Sequence, residues 1–224
     1  MCGRFTRIIS LEEIIEAFVV VETACDLGPS YNIAPTQPIA VIANESGARR
    51  LVTLRWGLIP SWAKEPSIGN KMINARAETL TLKPSFRQAF KKRRCLIVAD
   101  GFFEWQKRGR EKVPLYIRMQ SKQSFGFAGL YEYWTSPEGE TIGTCAIITT
   151  EANDLLRPIH NRMPVILPPE HHAVWLNPTI GEETLLLPLL QPFPGDTMEA
   201  YEVSRLVNSP KHNSPRCLAP QATS

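Results

Sequence analysis

No two cysteines in this chain stand close enough in sequence to make a C-x-x-C unit: the five lie at positions 2, 25, 95, 145 and 217. That spacing excludes a zinc knuckle or a thioredoxin-like redox motif, and the odd number suits a reducing compartment better than a disulfide framework. No stretch is long and apolar enough to span a bilayer. The early apolar run from Ile8 to Val21 is broken by Glu12, Glu13 and Glu16, and it lacks the basic lead and small-residue cleavage site of a secretory signal. A cytoplasmic protein is expected, nucleoid-associated if bacterial, with no membrane partner. There is no phosphate-binding glycine loop, no internal repeat and no interdomain linker. No metal site and no cofactor is implied. A formal charge of +3 is modest for a nucleic-acid binder. Any such role must rest on local clusters such as Lys91-Lys92-Arg93-Arg94 and Lys107-Arg108-Gly109-Arg110, and either run reads equally as a solvated face.

What is present suffices for one large domain over residues 1–224, with a sizeable core. Ser10-Leu11-Glu12-Glu13 has the capping-box pattern, and Ile14, Ile15 and Phe18 follow at helical spacing, so a short helix is predicted over Leu11 to Phe18. Pro38 to Ala43 and Leu51 to Trp56 read as strands, and Lys83 to Phe90 as a helix with Phe86 and Phe90 one turn apart. Arg94 to Val98, Pro114 to Met119, Ser124 to Trp134 and Thr141 to Thr150 are further strands. Gln120–Gln123 and Ser136–Glu140 look like hairpin connections between them. Thr150 can cap a short helix over Glu151 to Leu156, and Pro169 can open one reaching Leu176. Met198 to Val207 reads as a last strand, followed by an extended tail from about residue 208. The fold class is therefore α+β: a mostly antiparallel, barrel-like sheet system with short flanking helices.

The chemistry starts at Met1-Cys2-Gly3-Arg4-Phe5. If Met1 is removed, Cys2 carries an α-amine and a thiol on adjacent carbons. Ordinary pKa values near ~8 and ~8.5 make both groups usable close to neutral pH. Such a pair condenses with an aldehyde, first to an imine and then to a five-membered thiazolidine. The plain alternative is an unprocessed start with a small buried cysteine. Further along, Asn32 in Tyr31-Asn32-Ile33-Ala34-Pro35 either ties down backbone or faces a site. Trp56 and Trp62, around a Gly/Pro turn, are either a stacking platform or core. On an extended segment Asn74, Arg76 and Glu78 would share a face. Glu104, among aromatic neighbours in Asp100-Gly101-Phe102-Phe103-Glu104-Trp105, is either a surface residue on a turn or a desolvated carboxyl able to donate a proton. His160, in a proline-bounded segment between Arg157 and Arg162, is either an acid/base group or a loop histidine bonded to backbone.

Six of these stretches, in order and spread over nearly the whole chain, resemble the SOS-response-associated peptidase (SRAP) family. They are Met1–Phe5, Tyr31–Pro35, Trp56–Pro60, Asn74–Thr79, Asp100–Trp105 and Ile159–Pro164. Asn161 stands where an acidic residue is common in that family. The resemblance implies a protein that captures abasic sites in single-stranded DNA through a thiazolidine on processed Cys2, shielding the lesion. It also implies an associated lyase activity and self-removal of Met1. By the same resemblance Asn74 would hold Cys2 or the sugar, Glu104 would act as acid and base, and His160 would help open the sugar ring.

Arg4, Arg76 and Arg162 are the first candidates for phosphate contacts because each lies within three residues of a proposed catalytic group, with Arg87 next. Trp105 and Trp62 are candidates for base stacking. The expected partner is abasic single-stranded DNA, alone or at a single-/double-strand junction, and the protein is expected to be a monomer. Competing readings are an N-terminal-nucleophile amidohydrolase and a noncatalytic DNA-binding module.

Overall fold

In the computed structural model, which describes residues 2–25, 28–45 and 47–221, Ser10 opens the first helix as predicted. Its hydroxyl accepts from Glu13 N at 3.2 Å, and the Glu13 carboxylate accepts from Ser10 N at 2.7 Å. That reciprocal cap starts α1 (Leu11–Phe18) after β1 (Phe5–Arg7). There follow β2 (Glu22–Thr23), β3 (Ser30–Ile33), β4 (Pro38–Glu45), β5 (Ala48–Trp56), β6 (Asn74–Arg76) and α2 (Pro84–Lys92). The second half carries β7 (Arg94–Ala99), β8 (Gly101–Arg108), β9 (Glu111–Met119), β10 (Phe125–Thr135) and β11 (Thr141–Glu151). It ends with β12 (Arg162–Pro164), β13 (Ile166–Leu167), α3 (His172–Leu176), α4 (Glu183–Leu186) and β14 (Met198–Glu202).

Strands β5, β4, β7, β10 and β11 pair antiparallel in that order. The parallel pairing of Thr144 with Arg55 and Cys145 with Trp56 then returns β11 to β5 and closes a five-stranded barrel. Closure removes the edges that would expose unpaired backbone. The two-residue period of each strand divides its side chains between two cores. Val41, Ile97 and Ile147 belong to one core. Ile42, Leu96 and Ile148, their neighbours in sequence, belong to another that takes Phe18 of α1 and Phe86 and Phe90 of α2.

A second, antiparallel sheet runs in the order β14-β9-β8-β1-β3. Phe5, Phe102 and Ile117 on one of its faces join the first core. Phe103 and Tyr116 on the other are covered by Val203, Val207 and Cys217. At the start of β8, Gly101 leaves room for Tyr116, whose hydroxyl would lie 2.1 Å from any Cβ there. That hydroxyl sits 2.9 Å from Thr6 Oγ1, and Thr6 in turn donates to the Asp100 carboxylate. The network anchors the strand that leads back to Cys2.

Several expectations are corrected. Gln120–Gln123 is no hairpin: β9 pairs with β8 and β14 whereas β10 pairs with β7, β11 and β13, so this connector carries the chain from one sheet to the other. No helix forms over Glu151–Leu156. Glu151 finishes β11, and the Asn153 side chain accepts from Leu156 N at 2.9 Å and donates to Phe193 O at 2.7 Å, holding a run of turns. The last strand stops at Glu202 and gives way to a 3-10 turn over Arg205–Asn208. Of the stretch beyond Asn208, residues 209–221 are described and lie packed on the second sheet, with Cys217 fully buried and Val203 bridged to Pro220. The Asp100–Trp105 motif is largely strand, so Glu104 sits mid-β8 opposite Leu115 and is no turn residue.

Candidate active site

Residues 2–4, ahead of β1, already run along β8, with Phe103 N donating to Arg4 O at 2.9 Å, and this carries Cys2 into the first core. Cys2 has 0 % of its surface exposed, and its Sγ faces Arg4 O at 3.9 Å. Asn74 Nδ2 donates to Cys2 O at 2.8 Å. Asn74 Oδ1 is buried and accepts no hydrogen bond among the described residues. Glu104, 3 % exposed, shares the β8 face of Phe102 and is close enough for its charge to act on the thiol. Burial first, and the Glu104 carboxylate second, push the Cys2 thiol far above the ordinary thiol range. The resting group is therefore a thiol and not a thiolate. Met1 lies outside the described residues.

Two features hold Asn74 in place. Its strand β6 pairs parallel to β11, Asn74 opposite Ile147. The carbonyl of Ile73 accepts from Trp56 Nε1 at 2.9 Å, and the Trp56 ring meets Phe5 edge-on at 5.1 Å between centroids. Trp56 is wholly buried and so is core, not a stacking platform. Gly57 follows it at φ +126°, where a Cβ would also lie 2.5 Å from Gly69 O.

Next to this buried cluster lies an open cleft of about 560 Å³, lined by Arg76, Glu78, Thr79, His160, Asn161 and Arg162. It forms because Thr149 near the end of β11 pairs on one side with Arg76 of β6 and on the other with Pro164 after Arg162 in β12. Asn74 and Arg76 lie two residues apart on one side of β6, so the same strand touches Cys2 and the cleft. His160 is half-buried, and its Nδ1 accepts from Arg162 N at 3.0 Å, which leaves the proton of the neutral ring on Nε2. Arg162 grips the Glu78 carboxylate with both Nη atoms and donates to Thr149 O at 2.6 Å. The hydrogen bond from Arg162 holds the Glu78 carboxyl below its usual range.

The remaining predicted residues scatter. Arg76 is exposed at the cleft, Arg87 is exposed on α2, and Trp62 is 59 % exposed just after the Trp56–Pro60 motif. Trp105 is half-buried, with Nε1 donating to Asn208 Oδ1 at 2.8 Å. Arg4 turns into the protein: Nη1 donates to Asn32 Oδ1 at 2.7 Å and to Val207 O at 2.8 Å. Glu78, expected on one extended face with Asn74 and Arg76, lies instead in a 3-10 turn over Ala77–Thr79 because β6 ends at Arg76, and it pairs with Arg162 84 positions away. Asn208 was not read from sequence as part of the site's frame. Among the described residues no group of three or more His, Cys, Asp or Glu is arranged to hold a metal ion, and no helix is long and apolar enough to cross a membrane.

The family model described as SOS response associated peptidase (SRAP) matches residues 1–210. The abasic site processing protein YoqW of Bacillus subtilis is 52 % identical over 221 residues, covering 97 % of this chain and 99 % of that protein. The abasic site processing protein HMCES of Xenopus tropicalis is 33 % identical, covering 85 % of this chain and 66 % of its own length. A crystal structure of a protein from Bacteroides thetaiotaomicron superposes with a TM-score of 0.85 at 31 % identity, covering 97 % of this chain and 99 % of that one.

Proposed function

The chain belongs to the SRAP family, and from that premise and the geometry around Cys2 we propose that it captures abasic sites in single-stranded DNA as a thiazolidine on Cys2. The observation that carries this reading is the clamp of Asn74 on the Cys2 carbonyl, 2.8 Å long, with both Cys2 and Glu104 buried. A residue held by its own carbonyl keeps amine and thiol in fixed directions.

Water, deprotonated by Glu104 as general base, attacks the Met1 carbonyl carbon, the Met1–Cys2 bond breaks and the proton passes to the Cys2 nitrogen, so that free methionine leaves and the amine is exposed. The closed sugar must first gain a proton on its ring oxygen and lose one from its hydroxyl to expose the aldehyde. His160, with its proton on Nε2, serves that exchange from the cleft. The amine then adds to the aldehyde carbon and water leaves, giving the imine. The thiol sulfur bonds to the same carbon and its proton ends on the imine nitrogen, relayed by Glu104. Aldehyde and aminothiol thus become thiazolidine and one water. Burial favours the protonated thiol, and the buried Glu104 carboxylate is suited to relay that proton. Loss of the sugar proton next to the imine would instead expel the 3′ phosphate, which is the associated lyase reaction. Arg76 and Arg162 would take the flanking phosphates, with Trp62, Trp105 and Arg87 as outer contacts.

The test is the intact mass of Met1-free protein after incubation with an abasic single-stranded oligonucleotide, beside a Cys2→Ala control. A heat-stable adduct on the wild type alone supports the proposal. No adduct from protein confirmed to lack Met1 sinks it.

A further inference from the structure

We infer that Asn32 is a positioning residue for Cys2, acting through Arg4 by lashing the C-terminal segment 203–221 across the back of β1, the strand that Cys2 leads into. The inference rests on the proposed capture chemistry for its catalytic consequence, though not for its structural one. Asn32 lies in β3, the partner of β1, with 1 % of its surface exposed. Its amide is engaged on both sides. Oδ1 accepts from Arg4 Nη1 at 2.7 Å, while the two hydrogens of Nδ2 are shared among the carbonyls of His212, Ser209 and Val207 at 2.7, 3.0 and 3.3 Å.

Arg4 is the other half of the knot. Its Nη1 also reaches Val207 O, its guanidinium lies 5.9 Å over the Trp105 ring, and that indole is bonded to Asn208. Its main-chain carbonyl is the group the Cys2 thiol faces. The route from tail to nucleophile is therefore short: tail carbonyls, Asn32, the Arg4 side chain, the Arg4 carbonyl, the thiol. A buried amide with one acceptor and two donor hydrogens can serve a cation and a ring of carbonyls together, which neither Asp nor Ala can do.

Ring closure competes with strand cleavage at the imine. A thiol whose direction wanders closes more slowly, so more of the imine goes to the cleaved strand. The experiment compares wild type with Asn32→Ala and with Arg4→Met, which cuts the same bond from its other end. Each is held well below its own melting temperature. Two quantities are read on an abasic single-stranded oligonucleotide and on the free protein: the ratio of cleaved strand to stable adduct, and amide hydrogen exchange over residues 3–7.

The expected result is a ratio raised about fivefold or more in both variants, with exchange over residues 3–7 faster by about tenfold. A purely structural role would lower the melting temperature and leave the ratio at its wild-type value, and that outcome overturns the inference. Should Asn32→Ala fail to fold, Arg4→Met decides. If the wild type itself forms no adduct, the capture reading fails, and unchanged exchange over residues 3–7 in the variants then also removes the strap.

Discussion

Asn74 reaches across 72 positions of sequence to hold the carbonyl of Cys2 at 2.8 Å, with its own Oδ1 buried and accepting nothing from the described residues. One side chain thus fixes the residue proposed as nucleophile. Buried polar groups left without partners are costly, so under the proposed chemistry this acceptor would take a donor from the substrate or from the freed amine.

Replacing Asn74 by Ala removes the clamp and leaves the Cys2 carbonyl without its partner. A lost positioning hydrogen bond is worth about 1–3 kcal/mol, which makes adduct formation about 5- to 150-fold slower. The rate on excess abasic oligonucleotide, followed by denaturing gel, checks this. A rate within a factor of two of wild type would rule the clamp out as part of the machinery.

Glu78 occupies the fork of Arg162 inside the cleft and adds a negative charge where phosphates are proposed to lie. Glu78→Gln should therefore tighten binding to single-stranded DNA several-fold. It should also steepen the dependence of log K on log salt by about 0.7, the contribution of one more phosphate contact on a single strand. Fluorescence anisotropy across a salt series reads both. Weaker binding with a shallower slope would show instead that the carboxylate holds Arg162 in its phosphate-binding pose.

The thiols of Cys2, Cys95 and Cys145 are all pushed up by burial, while in the unfolded chain they ionise near ~8.5. With the folded pKa raised, the associated stability is fully present below ~8.5 and is lost as the pH rises towards the folded values, because the unfolded state releases protons the folded state keeps. The melting temperature should fall steadily from about pH 8.5 upward, and less steeply in Cys145→Ala. A melting curve that does not move across that range contradicts the assignment.

Much of the frame was legible because it depends on neighbours in sequence. The Ser10 and Glu13 cap needs four consecutive residues, the alternation in Leu51–Trp56 needs only a strand's period of two, and the unbroken apolar run after Arg94 reads as a buried strand by itself. The crossover at Gln120–Gln123 was not legible, since four polar residues between strands look the same whether the chain turns back or passes to another sheet. The helix expected over Glu151–Leu156 failed because the Asn153 side chain competes for the backbone groups a helix would use. Trp56 and Trp62 shared a motif and met opposite fates, one in the core and one in solvent, because burial is set by which strands close the barrel.

The sequence by itself determined which chemistry is available: an aminothiol at the chain start once Met1 is gone, an amide, a carboxylate and an imidazole at later positions. Residue type alone confers those properties, and no fold can add them. Tertiary structure decided the rest. It brought Asn74 to Cys2 and Glu78 to Arg162, turned Arg4 inward onto Asn32, and pushed the Cys2 thiol pKa up by burial. Each of these depends on distance and desolvation between residues far apart in the chain, and those quantities exist only once the barrel and the second sheet have closed around a common core.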